Sequence, residues 1–135
     1  MNQIKWDEYF SVNVKAMDNQ HIKFIDMLNA CLQAKEAKAL DDITFDTLKD
    51  MMNYLSKHFK DEEELMRAHG YPDLEAHIKL HKDFVLKTTE FLDRYVNERG
   101  AIGEDILDYL KDWFLNHIIK VDKQYSDFLN AKGIN

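Results

Sequence analysis

The chain reads as an all-α protein: an up-down-up-down four-helix bundle with an N-terminal arm packed on it. Three observations predict this. Apolar residues recur every three to four positions instead of alternating. One Pro and four Gly are too few to punctuate a many-stranded fold. Four amphipathic runs of bundle length are joined by short connections. At 135 residues, 45% hydrophobic and 32% charged, the chain is sized for a single domain, 1–135, with its own core.

Residues 1–17 form the arm, and Trp6, Tyr9, Phe10, Val12 and Val14 make it too apolar to stay in solvent. The first helix spans about 18–38, from Asp18 or Asn19, either a good N-cap, to the Lys-rich stretch near Lys38. Its buried stripe is His21, Phe24, Ile25, Leu28 and Leu32. Cys31 is the only cysteine, so it forms no intramolecular disulfide and reads as a small buried hydrophobe.

The second helix spans about 43–69, with Leu48, Met51, Met52, Leu55, His58, Phe59, Glu62, Leu65 and Met66 along one face. Tyr71-Pro72-Asp73 makes the turn. The third spans about 73–97 and carries Leu74, His77, Ile78, His81, Phe84, Val85, Thr88, Phe91, Leu92 and Tyr95, with Gly100 and Gly103 closing it. The fourth spans about 104–130, with the stripe Ile106, Leu107, Leu110, Trp113, Phe114, His117, Ile118, Val121, Tyr125 and Phe128.

Charge and hydropathy exclude several classes. A net charge of −7 argues against a general basic surface for nucleic acid or anionic lipid. No apolar run approaches the roughly 18 residues that a membrane span needs. Asp7 and Glu8 stand where a secretory signal would be apolar, so a cytoplasmic location is expected.

Five of the six histidines fall inside the apolar stripes, with two carboxylates: His21, His58 with Glu62, His77 with His81, and His117 with Asp122. Residues four apart share a helix face, so His58 with Glu62 and His77 with His81 each aim two donor atoms at one point. Burying carboxylates and clustered imidazoles is costly without a partner, and a bound cation is such a partner. His117 and Asp122 are five apart, roughly 140° around a straight helix. The aspartate must reach sideways, or a π-type bulge must close the gap.

Five imidazoles with one bond each and two bridging carboxylates with two each supply nine bonds. A shared oxide or hydroxide adds two, and eleven bonds over two metals divide as six and five, leaving one open position. Such a donor set suits iron or manganese, whereas zinc, usually four-coordinate, would be oversupplied. His69, beside Arg67, reads as a cation near a helix C-terminus, and Glu63 and Glu64 as solvated or lysine-paired.

Trp6, Asp18-x-x-His21, His58-Phe59-x-x-Glu62-Glu63-x-Leu65-Met66, Gly70-Tyr71-Pro72, His77-x-x-x-His81 and Trp113-x-x-x-His117-x-x-x-x-Asp122 together resemble the hemerythrin family, specifically its single-domain bacterial members. The resemblance covers almost the whole chain. It implies an antiparallel four-helix bundle around an oxo- or hydroxo-bridged non-haem di-iron centre that binds O₂ reversibly. Carried onto these positions, it implies that His77, His81 and His117 hold the six-coordinate iron, that His21 and His58 hold the five-coordinate one, and that Glu62 and Asp122 bridge. O₂ then binds at the open iron. Phe24, Phe59, Trp113, Phe114 and Ile118 lie within one turn of His21, His58 or His117 and form the wall of an O₂ pocket; where this chain has Phe114, relatives often have Leu.

Rival chemistry lacks its motifs. A ferritin-like di-iron oxidase needs paired Glu-x-x-His and a zinc hydrolase His-Glu-x-x-His, and the chain has neither. No dedicated general acid or base stands beside the ligands, so no catalytic residue and no enzymatic activity is assigned. The resemblance leaves two uses for O₂ binding. One is a carrier or store, favoured because the chain ends shortly after its last helix; the other is an O₂ or redox sensor or scavenger acting through an unspecified protein partner.

Overall fold

The computed structural model describes residues 4–36, 45–98 and 101–135. Four long helices, α1 (Lys15–Glu36), α2 (Phe45–Ala68), α3 (Leu74–Glu98) and α4 (Ala101–Lys120), pack each against the next, and α1 also meets α4 to close the bundle. A 3₁₀ turn over Asp122–Tyr125 and a short α5 (Ser126–Ala131) follow. No strand occurs among the described residues, and none of their helices is long and apolar enough to cross a membrane.

The predicted stripes form the core: Phe24, Ile25, Leu28 and Leu32 from α1, Leu48, Met51 and Leu55 from α2, Phe84 from α3, and Ile106, Leu107, Leu110 and Phe114 from α4 are all buried. Each such side chain contributes roughly 1.5–3 kcal/mol on leaving water. Cys31 is buried with its Sγ 3.6 Å from Met51 Sδ, as its apolar neighbours predict.

The boundaries differ where local chemistry competes with the pattern. Helix α1 begins at Lys15, so Asp18 lies inside its first turn and does not cap it. Its carboxylate turns back to the arm instead, accepting from Ser11 Oγ (2.6 Å) and the Val12 amide (2.8 Å). Lys38 lies outside the described residues, as does Gly100, while Gly103 falls within α4 and does not close α3. The turn after α2 pivots on Gly70, at φ +73°. Tyr71 N–H donates to Met66 C=O and Gly70 N–H to Arg67 C=O, the paired bonds that end a helix on a left-handed residue.

The fourth helix does not run unbroken to Asn130. Its α hydrogen bonding ends at Val121 N–H to His117 C=O (2.8 Å), and Gln124 N–H then returns to Val121 C=O in a tighter turn. The change of phase buries Leu129 and leaves the predicted Phe128 only half-buried, edge-on to Tyr71. The arm clamps this segment: Ser126 Oγ donates to Val12 C=O and Asn130 Nδ2 to Asn13 C=O. Ile4, Val12 and Val14 are buried, so the arm packs on the bundle as its composition predicts.

Asp18→Ala removes two hydrogen bonds to a charged acceptor and is expected to cost roughly 1–3 kcal/mol. Thermal unfolding followed by circular dichroism should show Tm falling by several degrees, and an unchanged Tm would mean the arm is held without Asp18.

Candidate metal centre

All seven predicted residues converge inside the bundle, toward the end where α2 turns into α3 and α4 stops, each 5% exposed or less. Helix α1 supplies His21, α2 His58 and Glu62, α3 His77 and His81, and α4 His117, while Asp122 comes from the 3₁₀ turn. That turn replaces the sideways reach or π-type bulge expected of a continuous helix. The straight helix ends before Asp122, so the 140° offset no longer constrains it. His69 lies apart, near the C-terminal end of α2.

The carboxylates divide the cluster. Glu62 turns Oε1 to His77 Nε2 (2.9 Å) and His81 Nε2 (3.2 Å), and Oε2 to His58 Nε2 (3.5 Å) and His21 Nε2 (3.7 Å). Asp122 turns Oδ1 to His117 Nε2 (2.9 Å) and His77 Nε2 (3.1 Å), and Oδ2 to His21 Nε2 (3.3 Å). Two groups able to hold a cation result: His77, His81 and His117 with both carboxylates, and His21 and His58 with the same two, the donor atoms of each lying within 4.8 Å of one another.

These spacings also suit metal ions. Neighbouring corners of an octahedron with bonds of about 2.1 Å lie about 3 Å apart, close to most of the N···O separations. Asp122 Oδ1 has two imidazole nitrogens within 3.1 Å yet makes no well-aligned hydrogen bond, because these atoms surround a common point instead of lying along N–H···O lines. Imidazole and carboxylate donors fit iron or manganese.

A second layer orients the rings. His58 Nδ1–H donates to Gln20 Oε1 (2.6 Å), and Gln20 Nε2 in turn donates to Asp61 (3.2 Å), which Lys57 also contacts. His81 Nδ1–H donates to Glu63 Oε2 (2.7 Å), so the half-buried Glu63 pairs with a histidine, where its place in an acidic run suggests solvent or a lysine. Both bonds put the proton on Nδ1 and leave the Nε2 lone pair facing the cluster, the tautomer a metal requires. His21 Nδ1 is buried without such a partner, and the ring is instead packed edge-on against Phe114 at 5.7 Å. Tyr125, fully buried, donates its phenol O–H to Glu62 Oε2 at 2.8 Å. Burial first, then the charges of Glu62 and Asp122, push that phenol well above its ordinary range, so it remains a donor. Gln20 adjoins a ligand and Glu63 follows one, but nothing in their spacing marks them; Tyr125 reads only as part of an apolar stripe.

Of the five wall residues, Phe24, Phe59, Phe114 and Ile118 are buried and Trp113 is half-buried. Phe114 lies 4.6 Å from Phe24 and borders His21. Phe59 stacks on His81 at 4.0 Å and Trp113 on His117 at 4.3 Å, which puts these two against the three-histidine group.

Without a metal, the site balances charge with protons. Burial would depress His21, but its hydrogen bonds and charge interactions with Asp122 and Glu62 prevail and raise it to about 9. His77 is raised to about 10 by the same two carboxylates, again against burial. His58 falls to about 4, burial prevailing over the pull of Glu62. Thus His21 Nε2–H donates to the bare His58 Nε2 across 3.1 Å. Burial favours the protonated form of both carboxyls, yet the surrounding imidazoles hold Glu62 and Asp122 well below the ordinary carboxylate range.

Residues 12–129 match the hemerythrin HHE cation-binding domain. The chain belongs to the hemerythrin family. The bacteriohemerythrin of Pseudomonas paraeruginosa is 30% identical over 131 residues, 94% of this chain and 82% of that protein. The one from Methylococcus capsulatus is 31% identical over 122 residues, 90% of this chain and 92% of its own. The myohemerythrin of Theromyzon tessulatum is 30% identical over 123 residues, covering 90% of this chain and 89% of that protein. Among solved structures, wild-type hemerythrin superposes with a TM-score of 0.81 at 30% identity over 92% of this chain and 95% of that one. A leucine-to-alanine hemerythrin variant gives 0.83 at 30% identity over 94% and 97%.

In the metal-free hemerythrin, His21 and His77 hold protons that the unfolded chain releases near 6.5. Their contribution is complete below pH 6.5 and is lost as pH rises through about 9 and 10. Urea unfolding of the metal-free protein should therefore show stability falling by a few kcal/mol between pH 7 and 10. A flat profile over that range would mean these imidazoles are neutral in the metal-free fold.

Proposed function

We propose that this hemerythrin binds O₂ reversibly at a pair of iron ions, as an O₂ carrier or store. The observation that carries this reading is the division of each carboxylate between two sets of histidines. His77, His81 and His117 would hold one ion and His21 and His58 the other, with Glu62 and Asp122 shared between the two sets. The set with two histidines has one protein donor fewer, so the free position for O₂ would lie on the side of His21 and His58. The irons would supply that position and the electrons for binding the gas.

The protein's own share is to position and to exclude. Gln20 and Glu63 hold the rings of His58 and His81 with their lone pairs inward. Phe114, buried against His21, and Phe24, buried against Phe114, shield the two-histidine half from bulk water, and Ile118 is buried as well. A dry wall of this kind slows the irreversible loss of electrons on which reversibility depends. The relatives it matches over 82–92% of their length are named bacteriohemerythrin and myohemerythrin, in keeping with a carrier over a sensor.

Metal analysis should find two irons per chain and an absorption band that appears with O₂ and disappears under argon. One zinc and no iron would overturn the proposal. Glu62→Ala or Asp122→Ala removes two of the nine protein bonds and should abolish the paired site, while His69→Ala should leave O₂ binding intact; loss of binding in the His69 variant would mean a different ligand set.

Phe114→Ala should open the wall beside His21 and change O₂ association or autoxidation several-fold in stopped-flow measurements. Rates equal to the wild type would place the entry path elsewhere.

A further inference from the structure

Tyr125 is a residue that the ligand set does not use. It enters the core from the same 3₁₀ turn that delivers Asp122, three positions later, and its phenol O–H reaches across the bundle to Glu62, 63 residues away in sequence. Its hydroxyl donates to Oε2, the oxygen facing His21 and His58. The ring also lies 5.9 Å from that of His77, so the phenol is wedged between the two halves of the cluster. A buried tyrosine hydroxyl normally finds a partner, but the partner here is a carboxylate already placed between two donor groups.

We propose that Tyr125 is a positioning residue that sets the redox balance of the centre through Glu62. The inference rests on the reading that Glu62 bridges two irons. The donated hydrogen bond fixes the carboxylate's rotation, so that one oxygen faces each histidine set. It also withdraws negative charge from Oε2, which makes Glu62 a weaker electron donor. A weaker anionic donor stabilises the more positive, oxidised metal less, so the hydrogen bond favours the reduced state, the one that takes up O₂. Hydrogen bonding to ligands is a principal means by which proteins tune metal potentials. The effect is opposite in sign to that of Gln20 and Glu63, which accept from their histidines and make those rings stronger donors.

Tyr125→Phe keeps the ring and removes only the hydroxyl. In the iron-loaded full chain, iron content should stay at two, the midpoint potential should fall, and autoxidation of the oxygenated form should quicken at least threefold. Replacing Tyr125 with 3-fluorotyrosine, a stronger donor of nearly the same shape, should move potential and autoxidation the other way, which packing alone would not do. Potentials and autoxidation rates matching the wild type in both variants would overturn the role of Tyr125. So would shifts of the same sign in the two. A wild-type protein without iron or without O₂ binding would overturn the proposed function itself, so the two failures are distinguishable.

Discussion

The structure depends on the desolvation of seven polar side chains inside a hydrophobic bundle. Two carboxylates and five imidazoles, each 5% exposed or less, would be intolerable as separate buried groups. The arrangement resolves the cost by bringing all seven to one place, where each carboxylate oxygen meets imidazole nitrogen. Protons can bind the cluster together in the metal-free state, but they leave Asp122 Oδ1 without a hydrogen bond. Cations held by the two donor groups would satisfy the inward-facing atoms without any of them having to point a hydrogen at a neighbour.

That requirement explains the irregular end of the fold. Six of the seven residues sit on long helices at spacings a regular bundle provides. The seventh cannot, because no straight helix presents His117 and the residue five positions on to the same point. The chain breaks at Val121, and the short 3₁₀ turn that follows has too few hydrogen bonds to be firm by itself. Its rigidity is borrowed from the arm, whose Val12 and Asn13 carbonyls accept from Ser126 and Asn130, while Asp18 fixes the arm in turn. A run of contacts from the N-terminal arm thus ends at a residue of the centre.

Helical spacing makes the bundle and six of the seven inward residues legible, because helix faces repeat every three to four positions and ionisable residues in an apolar stripe stand out; Asp122, out of phase with His117, is legible only through the Trp113-x-x-x-His117-x-x-x-x-Asp122 motif. What resisted reading was whatever depended on departures from that period. The break at Val121 carries no Gly or Pro signal, so Phe128 reads as core where Leu129 is buried. Asp18 has the composition of an N-cap but serves as an anchor one turn inside α1. Gln20 and Glu63 touch histidines of other helices, at 38 and 18 residues' separation, and long-range pairs leave no local pattern. Tyr125 combines both difficulties, since its ring fits an apolar stripe and its hydroxyl's partner lies on another helix.

The surroundings of the two donor groups differ in a way that suits their proposed roles. Grooves of about 390, 240 and 150 Å³ reach His81, His117 and His77 respectively, all in the three-histidine group. An ion with a complete set of ligands can tolerate nearby solvent, because no position is left for water to take. An ion with an open position cannot, and on that side His21 and Phe24 are wholly buried and His58 and Phe114 nearly so. O₂ is small and apolar, so an apolar wall costs it no hydration to cross. The same wall is a barrier to water and ions, which would have to shed their hydration to follow. Selectivity at such a site comes from the medium the gas must cross as much as from the bond it forms at the end.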